Sequence, residues 1–387
     1  MKKWLLLSLL CVSLAIATLH SQTIELNGMK YVLDAQTKTA VASFADAEMT
    51  DVVVEPSVAY EGTEYQVIKL SDQAFFGCRG LKSVKLPSTI KTIGGYAFMA
   101  CSELERVYIP ALGDWLEIEF VNTFSNPLFY ANDLYVDNTL LKDLILPEGL
   151  TKVPDNAFAG ASLTTLTMPS SLNEIGSHSF YECTSLKTLK AGESLAVIGI
   201  QAFDGCSSLR DVELSPSVTD VKGWAFNDCK SLKTVTFGAK VNNVGTDAFA
   251  GCNSLEAINI FDITSWCKIE FANEKANPLV NAHVLQIDGK AITKLEIPAG
   301  ITEIKEGAFA GCTAIESVVL GADLTKIGPK AFNACPALRS VIFEGSVTTI
   351  DSYAFEGCPL LADCYLPESL TTRGEYGLWG TVLTQAV

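Results

Sequence analysis

The chain is 387 residues long and carries 28 Lys and Arg against 44 Asp and Glu, a formal net charge of −16 near neutral pH. That balance argues against nucleic acid and anionic membrane surfaces as partners, because binding a polyanion depends on cations that are here outnumbered. With 48% hydrophobic and 19% charged residues, the chain can bury a continuous core, which excludes large disordered segments.

The first segment, MKKWLLLSLLCVSLAIATLHSQ, has two lysines, an apolar run from Trp4 to Leu19, and small and polar residues near Ser21. This pattern predicts a cleaved secretory signal peptide over residues 1–21, with the mature chain starting near Gln22. No other segment offers about 20 consecutive apolar residues, so no transmembrane segment is expected in the mature chain. Loss of Lys2 and Lys3 would shift the net charge from −16 to −18. Lipidation at Cys11 is the alternative, disfavoured by the bulky Leu10 before it and by an apolar run that continues past it.

Residues 22–68 read as strands. TIEL and MKYVL flank Asn27-Gly28, while SVAY and YQVI flank Glu61-Gly62, and both pairs suit hairpin turns. The block is predicted to cap the repeats that follow, since an open end of stacked coils exposes apolar surface and strand edges.

From residue 69 to 374 one phrase recurs. Phe75, Phe98, Phe158, Phe180, Phe203, Phe226, Phe249, Phe309, Phe332 and Phe355 follow one another at 22 or 23 residues, broken only by two gaps of 60. Such a period predicts a β-rich leucine-rich-repeat solenoid, one elongated domain in which each coil buries its apolar side against its neighbours. Within a coil, L-x-x-V-x-L-P reads as a short strand ended by proline, as in Leu81, Val84, Leu86 and Pro87. The Ala-Phe-x-x-Cys phrase is too short for a full helix and is expected to form a helical or 3₁₀ turn on the opposite side.

Nine of the twelve cysteines stand three residues after a repeat Phe: Cys78, Cys101, Cys183, Cys206, Cys229, Cys252, Cys312, Cys335 and Cys358. Stacked side chains of this kind run parallel, so buried free thiols are expected rather than disulfides. Ala161 in one coil fits a small apolar filler, and no paired C-x-x-C spacing suggests a metal.

The two gaps match each other at an offset of 151 residues. Trp115 corresponds to Trp266, Ile118-Glu119-Phe120 to Ile269-Glu270-Phe271, Asn126-Pro127-Leu128 to Asn277-Pro278-Leu279, and Asp137 to Asp288. The solenoid is therefore a tandem duplication with inserts near 111–140 and 262–291. Each insert ends in a hairpin, at Asp137-Asn138 and Asp288-Gly289. Residues 375–387 form a tail or closing cap.

No phosphate-binding loop, dinucleotide fingerprint, zinc-protease, nucleophile-elbow or EF-hand phrase occurs. His178 and His283 occupy no catalytic pattern, and the carboxylates are dispersed rather than paired. The chain is expected to be neither an enzyme nor a cofactor or metal carrier. Outward positions of the strands supply the candidate binding face. Its leading residues are Arg106, Tyr108, Thr165, Thr167, Thr188, Lys190, Thr234, Thr236 and Tyr365, with Ser83, Ala257 and Ile342 in the same rows. Exposed aromatics anchor interfaces, which favours Tyr108 and Tyr365. Trp115 and Trp266 suggest either packing of the enlarged coil or a platform for sugar.

Coils such as AFDGCSSLRDVELSPSVTDV, inserts of the form W-x-x-I-x-F followed by NPL, a strand-rich cap and a secretory signal together resemble the BspA-like leucine-rich-repeat surface proteins of bacteria, over residues 24–372. The resemblance implies a secreted or cell-surface protein, some relatives being adhesins for host matrix proteins or other cells. The expected partners are host or bacterial surface proteins. The second reading is a glycan-binding protein of the outer membrane or periplasm.

Overall fold

The computed structural model describes residues 21–44 and 49–381. The expected signal peptide, apart from Ser21, and the end of the tail lie outside the described residues. Among the described residues no helix is long and apolar enough to cross a membrane.

One coil explains most of the body. Thr165–Thr167 is a strand with Leu166 buried and both threonines half-buried, the alternation that the pleat imposes. After Pro169 a two-residue strand, Glu174–Ile175, forms a second side with Ile175 buried. The next coil repeats both in parallel, Thr165 opposite Thr188 and Glu174 opposite Val197. Two ladders therefore run along the solenoid, with Leu, Val and Ile of each strand pointing between them.

The third side departs from the expected 3₁₀ turn. In the coil of Phe203, i→i+3 bonds do form, from Ala202 N to Gly199 O, Asp204 N to Gln201 O and Cys206 N to Phe203 O. They occupy only alternate residues. The N–H groups between them point to the following coil, Gln201 to Gly223 O, Phe203 to Ala225 O and Gly205 to Asn227 O, at 3.0, 2.8 and 2.9 Å. Left-handed backbone at Gln201 (φ 53°) and Gly205 (φ 76°) is what turns alternate amides outward. The turn is thus a third ladder, and it satisfies backbone groups that would otherwise be orphaned.

The repeat phenylalanines stack inside this side. Phe180, Phe203, Phe226 and Phe249 are fully buried, with successive centroids 5.2, 5.3 and 5.4 Å apart and planes within 10°. That spacing is close to the ~4.8 Å separation of paired strands. Seven of the nine ladder cysteines close the same unit. The thiol of Cys206 reaches the carbonyl of Phe180 at 3.3 Å, Cys229 that of Phe203 at 3.3 Å, and Cys252 that of Phe226 at 3.1 Å. Cysteine is therefore both a small filler and a weak donor to the preceding coil. Ala161 takes its place after the first insert, although Cys312 stands at the equivalent position after the second, so the insert alone does not explain the exchange. All eleven described cysteines are free. Burial pushes Cys101 and Cys252 up to about 12 and the half-exposed Cys78 to about 11.

At the N-terminus, strands β1 (Gln22–Leu26), β2 (Met29–Asp34), β3 (Thr39–Phe44), β4 (Asp51–Val53), β5 (Ser57–Tyr60) and β6 (Thr63–Leu70) build the cap. Both expected hairpins are present, with Leu26 opposite Met29 and Tyr60 opposite Thr63 and positive φ at each turn pair. The cap merges with the coils earlier than residue 68. β4 pairs with Ser83–Lys85, and β6 pairs with Thr92–Ile93, so residues 51–70 already feed both ladders. Phe44 lies against Phe75 at 5.5 Å and extends the aromatic stack into the cap. At the other end, Leu378 is buried at the Phe position, and Phe355 N donates to Gly377 O at 2.9 Å. Residues 375–381 thus supply one more turn of the same ladder.

Phe226→Ala removes a buried ring from the middle of a stack and should cost about 3–5 kcal/mol, read as a lowered denaturant midpoint. Because the thiols are buried and most are hard to ionise, a chain of residues 22–387 at pH 8 should react with a disulfide reagent slowly and first at Cys78. All eleven cysteines should react at once in denaturant. Rapid labelling of the folded protein at several thiols would contradict the buried ladder.

Candidate interaction face and insert junctions

The expected outward residues share one side of the body but lie on separate ladders. Arg106 and Tyr108 belong to a sheet that includes β4, Ser83–Lys85 and Asp133–Val136. Thr165, Thr167, Thr188 and Lys190 belong to a second, Thr234 and Thr236 to a third, and Tyr365 follows the last strand of a fourth. Tyr365 is 89% exposed. Thr188 and Lys190 are exposed, whereas Arg106, Tyr108, Thr165, Thr167, Thr234 and Thr236 are half-buried by their register neighbours.

Ser83 and Ala257 do not reach solvent as expected. Ser83 donates to Asp51, its partner one strand away, and the methyl of Ala257 is too short to clear Thr234 opposite it. Several threonines are also occupied. Thr165 donates to Asp143 at 2.7 Å and Thr234 to Asp211 at 2.6 Å. The bonds from Thr165 and Thr164 hold the Asp143 carboxyl below its ordinary value.

Three residues of this side were not read from the sequence. Tyr135 stacks on Tyr108 at 4.9 Å, because the insert strand Asp133–Val136 joins the outer ladder with Tyr135 in register with Tyr108. Ile145, 69% exposed, and Val53 head or flank coils in the same outward row. For Tyr135 and Ile145 the signal was available: LYV and LIL carry the outward-inward alternation, but LYV sits inside the insert and LIL just after it.

The inserts prove to be modified coils. Each keeps one strand in each ladder, Glu119–Phe120 and Asp133–Val136 in the first, Glu270–Phe271 and Leu285–Ile287 in the second. Both hairpins form, Val136 opposite Thr139 and Ile287 opposite Lys290. Short helices, Leu128–Ala131 and Leu279–Ala282, replace the usual turn. A helix uses its own amides internally and cannot donate them to the next coil. Both short-strand ladders stop here as well, at Glu119–Phe120 and Glu270–Phe271.

Side chains make up the loss. Trp115 Nε1 donates to Ala157 O at 2.8 Å, and Trp266 Nε1 to Ala308 O at 2.9 Å. Asn126 donates to Asn156 O and Ala157 O, and Asn277 to Gly307 O. Each of these asparagines also accepts the amide two residues on, Leu128 or Leu279. Asn132 and His283 reach Gly160 O and Gly311 O. The matching residues of the two inserts are therefore a splice that restores the third ladder across 42 residues of chain. Trp115 and Trp266 are 0% and 1% exposed, so the sugar-platform reading of these two residues is corrected: neither ring has a face to offer.

His178 Nε2 lies 3.0 Å from Gln201 Oε1 in the turn ladder, well apart in sequence from His283 at the second splice. Among the described residues no group of three or more His, Cys, Asp or Glu is placed to hold a metal.

Parallel coils of about 23 residues, a strand on one side and a short turn on another, define a leucine-rich-repeat β-solenoid. The chain belongs to the BspA-type leucine-rich-repeat family: the model of the BspA type leucine rich repeat region matches in six copies over residues 57–127, 131–265 and 288–387. No curated protein matches the chain. It is similar to a leucine-rich repeat protein from Bacteroides ovatus, at 23% identity and TM-score 0.61 over 92% of each chain. It also matches a leucine-rich cell surface protein from Faecalibacterium prausnitzii, at 25% identity and TM-score 0.46 over 91% of this chain and 84% of that one. A leucine-rich repeat protein from Eubacterium ventriosum aligns at 16% identity and TM-score 0.44, covering 92% and 93%.

Trp266→Phe leaves the buried Ala308 carbonyl without its donor, whereas after Trp115→Phe the Ala157 carbonyl keeps Asn126. An orphaned acceptor costs about 1–3 kcal/mol. Trp266→Phe should therefore lower stability by about 1 kcal/mol or more beyond Trp115→Phe. Equal unfolding midpoints for the two variants would refute the splice.

Proposed function

We propose that the protein is exported by its signal peptide and binds a protein partner at the bacterial surface through the outer strand face, without catalysing a reaction. The observation that carries this reading is an apolar run on that face near its C-terminal end. Val319 stands opposite Ile342, which is 55% exposed, and Tyr365 extends the same row in the next coil. Exposed apolar side chains in one row mark interaction surfaces more than scattered ones do. A rigid Tyr beside a branched aliphatic residue is the composition of an interface anchor. Family membership supports interaction through the repeat surface, as does the general use of solenoid faces for binding. The acidic balance favours a partner with basic residues at its rim.

Location comes first in testing. Protease treatment of intact cells should cut the protein while a periplasmic enzyme survives; survival of both would remove the surface assignment. Tyr365→Ala and Ile342→Ser should each weaken binding to a captured matrix or surface protein by about tenfold or more, with thermal unfolding unchanged. Tyr108→Ala should give a smaller loss, because its ring is already stacked on Tyr135. Unaltered binding by all three variants would exclude this face.

A further inference from the structure

The two splices share their framework and differ in what surrounds it. In the first, Asn156 (φ 63°) is buried and binds inward, accepting from Thr123 at 3.0 Å and donating to Phe120 O at 3.3 Å. Phe129, in the helix that replaces the turn, is parallel to Tyr181 at 6.3 Å and edge-on to Phe124 at 5.2 Å. Aligned on the repeat phenylalanines, the second splice has Gly307 for Asn156, Val280 for Phe129, Lys275 for Phe124 and Asn333 for Tyr181. Each change removes bulk. The result is an open cleft of about 520 Å³, counting space continuous with solvent. The enclosed part is only about 80 Å³, below the usual range of small-molecule sites, so a ligand would rest one face on the floor and leave the other in solvent.

Its chemistry is selective. Phe271, Val280 and Ala310 give an apolar floor, and Glu274, Glu306, Lys330 and Asn333 stand around it. Lys330 Nζ lies 3.4 Å from Glu274 Oε2, and Asn333 donates to Glu356 at 2.9 Å. Two carboxylates repel an anion. The ammonium of Lys330 already pairs with Glu274, so an arginine or lysine would have to compete with it for that carboxylate. A purely apolar ligand would strip water from charged groups without replacing it. What remains is an uncharged molecule with an apolar face and an edge of both donors and acceptors.

We propose that the cleft between Phe271 and Lys330 at the second splice binds a neutral sugar ring, its C–H face on Phe271, Val280 and Ala310 and its hydroxyls on Glu274, Glu306 and Lys330. The first splice is the filled counterpart of the same site. This site is separate from the outer strand face, and either can fail without the other.

The duplication also supplies the blocking variants. Gly307 has φ +62° and an added Cβ would meet nothing within 4 Å, so Gly307→Asn recreates a backbone already held by Asn156. Val280→Phe recreates Phe129. Saturation-transfer NMR on the intact protein would use glucose, galactose, mannose and N-acetylglucosamine, each at about 10 mM to reach millimolar affinities. N-acetylneuraminic acid and N-acetylarginine amide serve as charged probes. The expected result is transfer to at least one neutral sugar, weakened about tenfold or more in Gly307→Asn and in Val280→Phe, with unchanged melting temperatures and silent charged probes. Should Gly307→Asn fold poorly, Val280→Phe alone decides. Silence of every neutral sugar, transfer that survives the blocking variant, or transfer to a charged probe alone would overturn the assignment.

Discussion

Everything in this molecule depends on one demand: each coil must hand its spare backbone donors to the next. Strands do this with little help on two sides. The third side cannot be a strand, because the chain has to turn back within a few residues, and it cannot be a helix, because a helix keeps its amides to itself. Short i→i+3 turns with left-handed residues at either end solve both problems. They bend the chain and free every second N–H for the neighbouring coil. The Phe stack and the thiol bonds follow from that geometry, since they sit inside the turn and repeat at its spacing.

Much of this was legible in the sequence, for local reasons. The Phe rhythm, the duplication and the Asn27-Gly28, Glu61-Gly62, Asp137-Asn138 and Asp288-Gly289 hairpins are all specified by residues next to one another. The left-handed turn was not legible. Its first left-handed position holds Gln73, Tyr96, His178, Gln201, Trp224 and Lys330 as well as Asn156, Asp247 and Gly307, so residue type there gives no consistent turn signal. The preference comes from a carbonyl 22 residues away in Gly95, Gly223 or their equivalents, and a pattern read along one coil does not contain it.

The candidate face shows the same division. Alternation placed Thr165, Thr188 and Tyr365 on the correct side. It did not reveal that Asp143 and Asp211 already engage the threonines, nor that Tyr135 would lie over Tyr108. Those are cross-coil relations. The Trp residues posed the sharper question, because a ring repeated at equivalent places suits packing and recognition alike. Their indole N–H decides it: the donor is used on a buried carbonyl, so the residue is kept for its nitrogen as much as for its area.

Both splices present a Trp indole and an Asn amide to equivalent carbonyls, with Asn132 in the first and His283 in the second on the glycine carbonyl that follows. The stretch of 151 residues between them therefore begins and ends on closely matching fittings. One such stretch could be copied or deleted and every remaining coil would still meet a neighbour of a kind it already accepts. The reach of the molecule is in that sense a matter of counting, independent of any redesign of its ends, and a copy added in this way is free to carry a different surface on an unchanged frame.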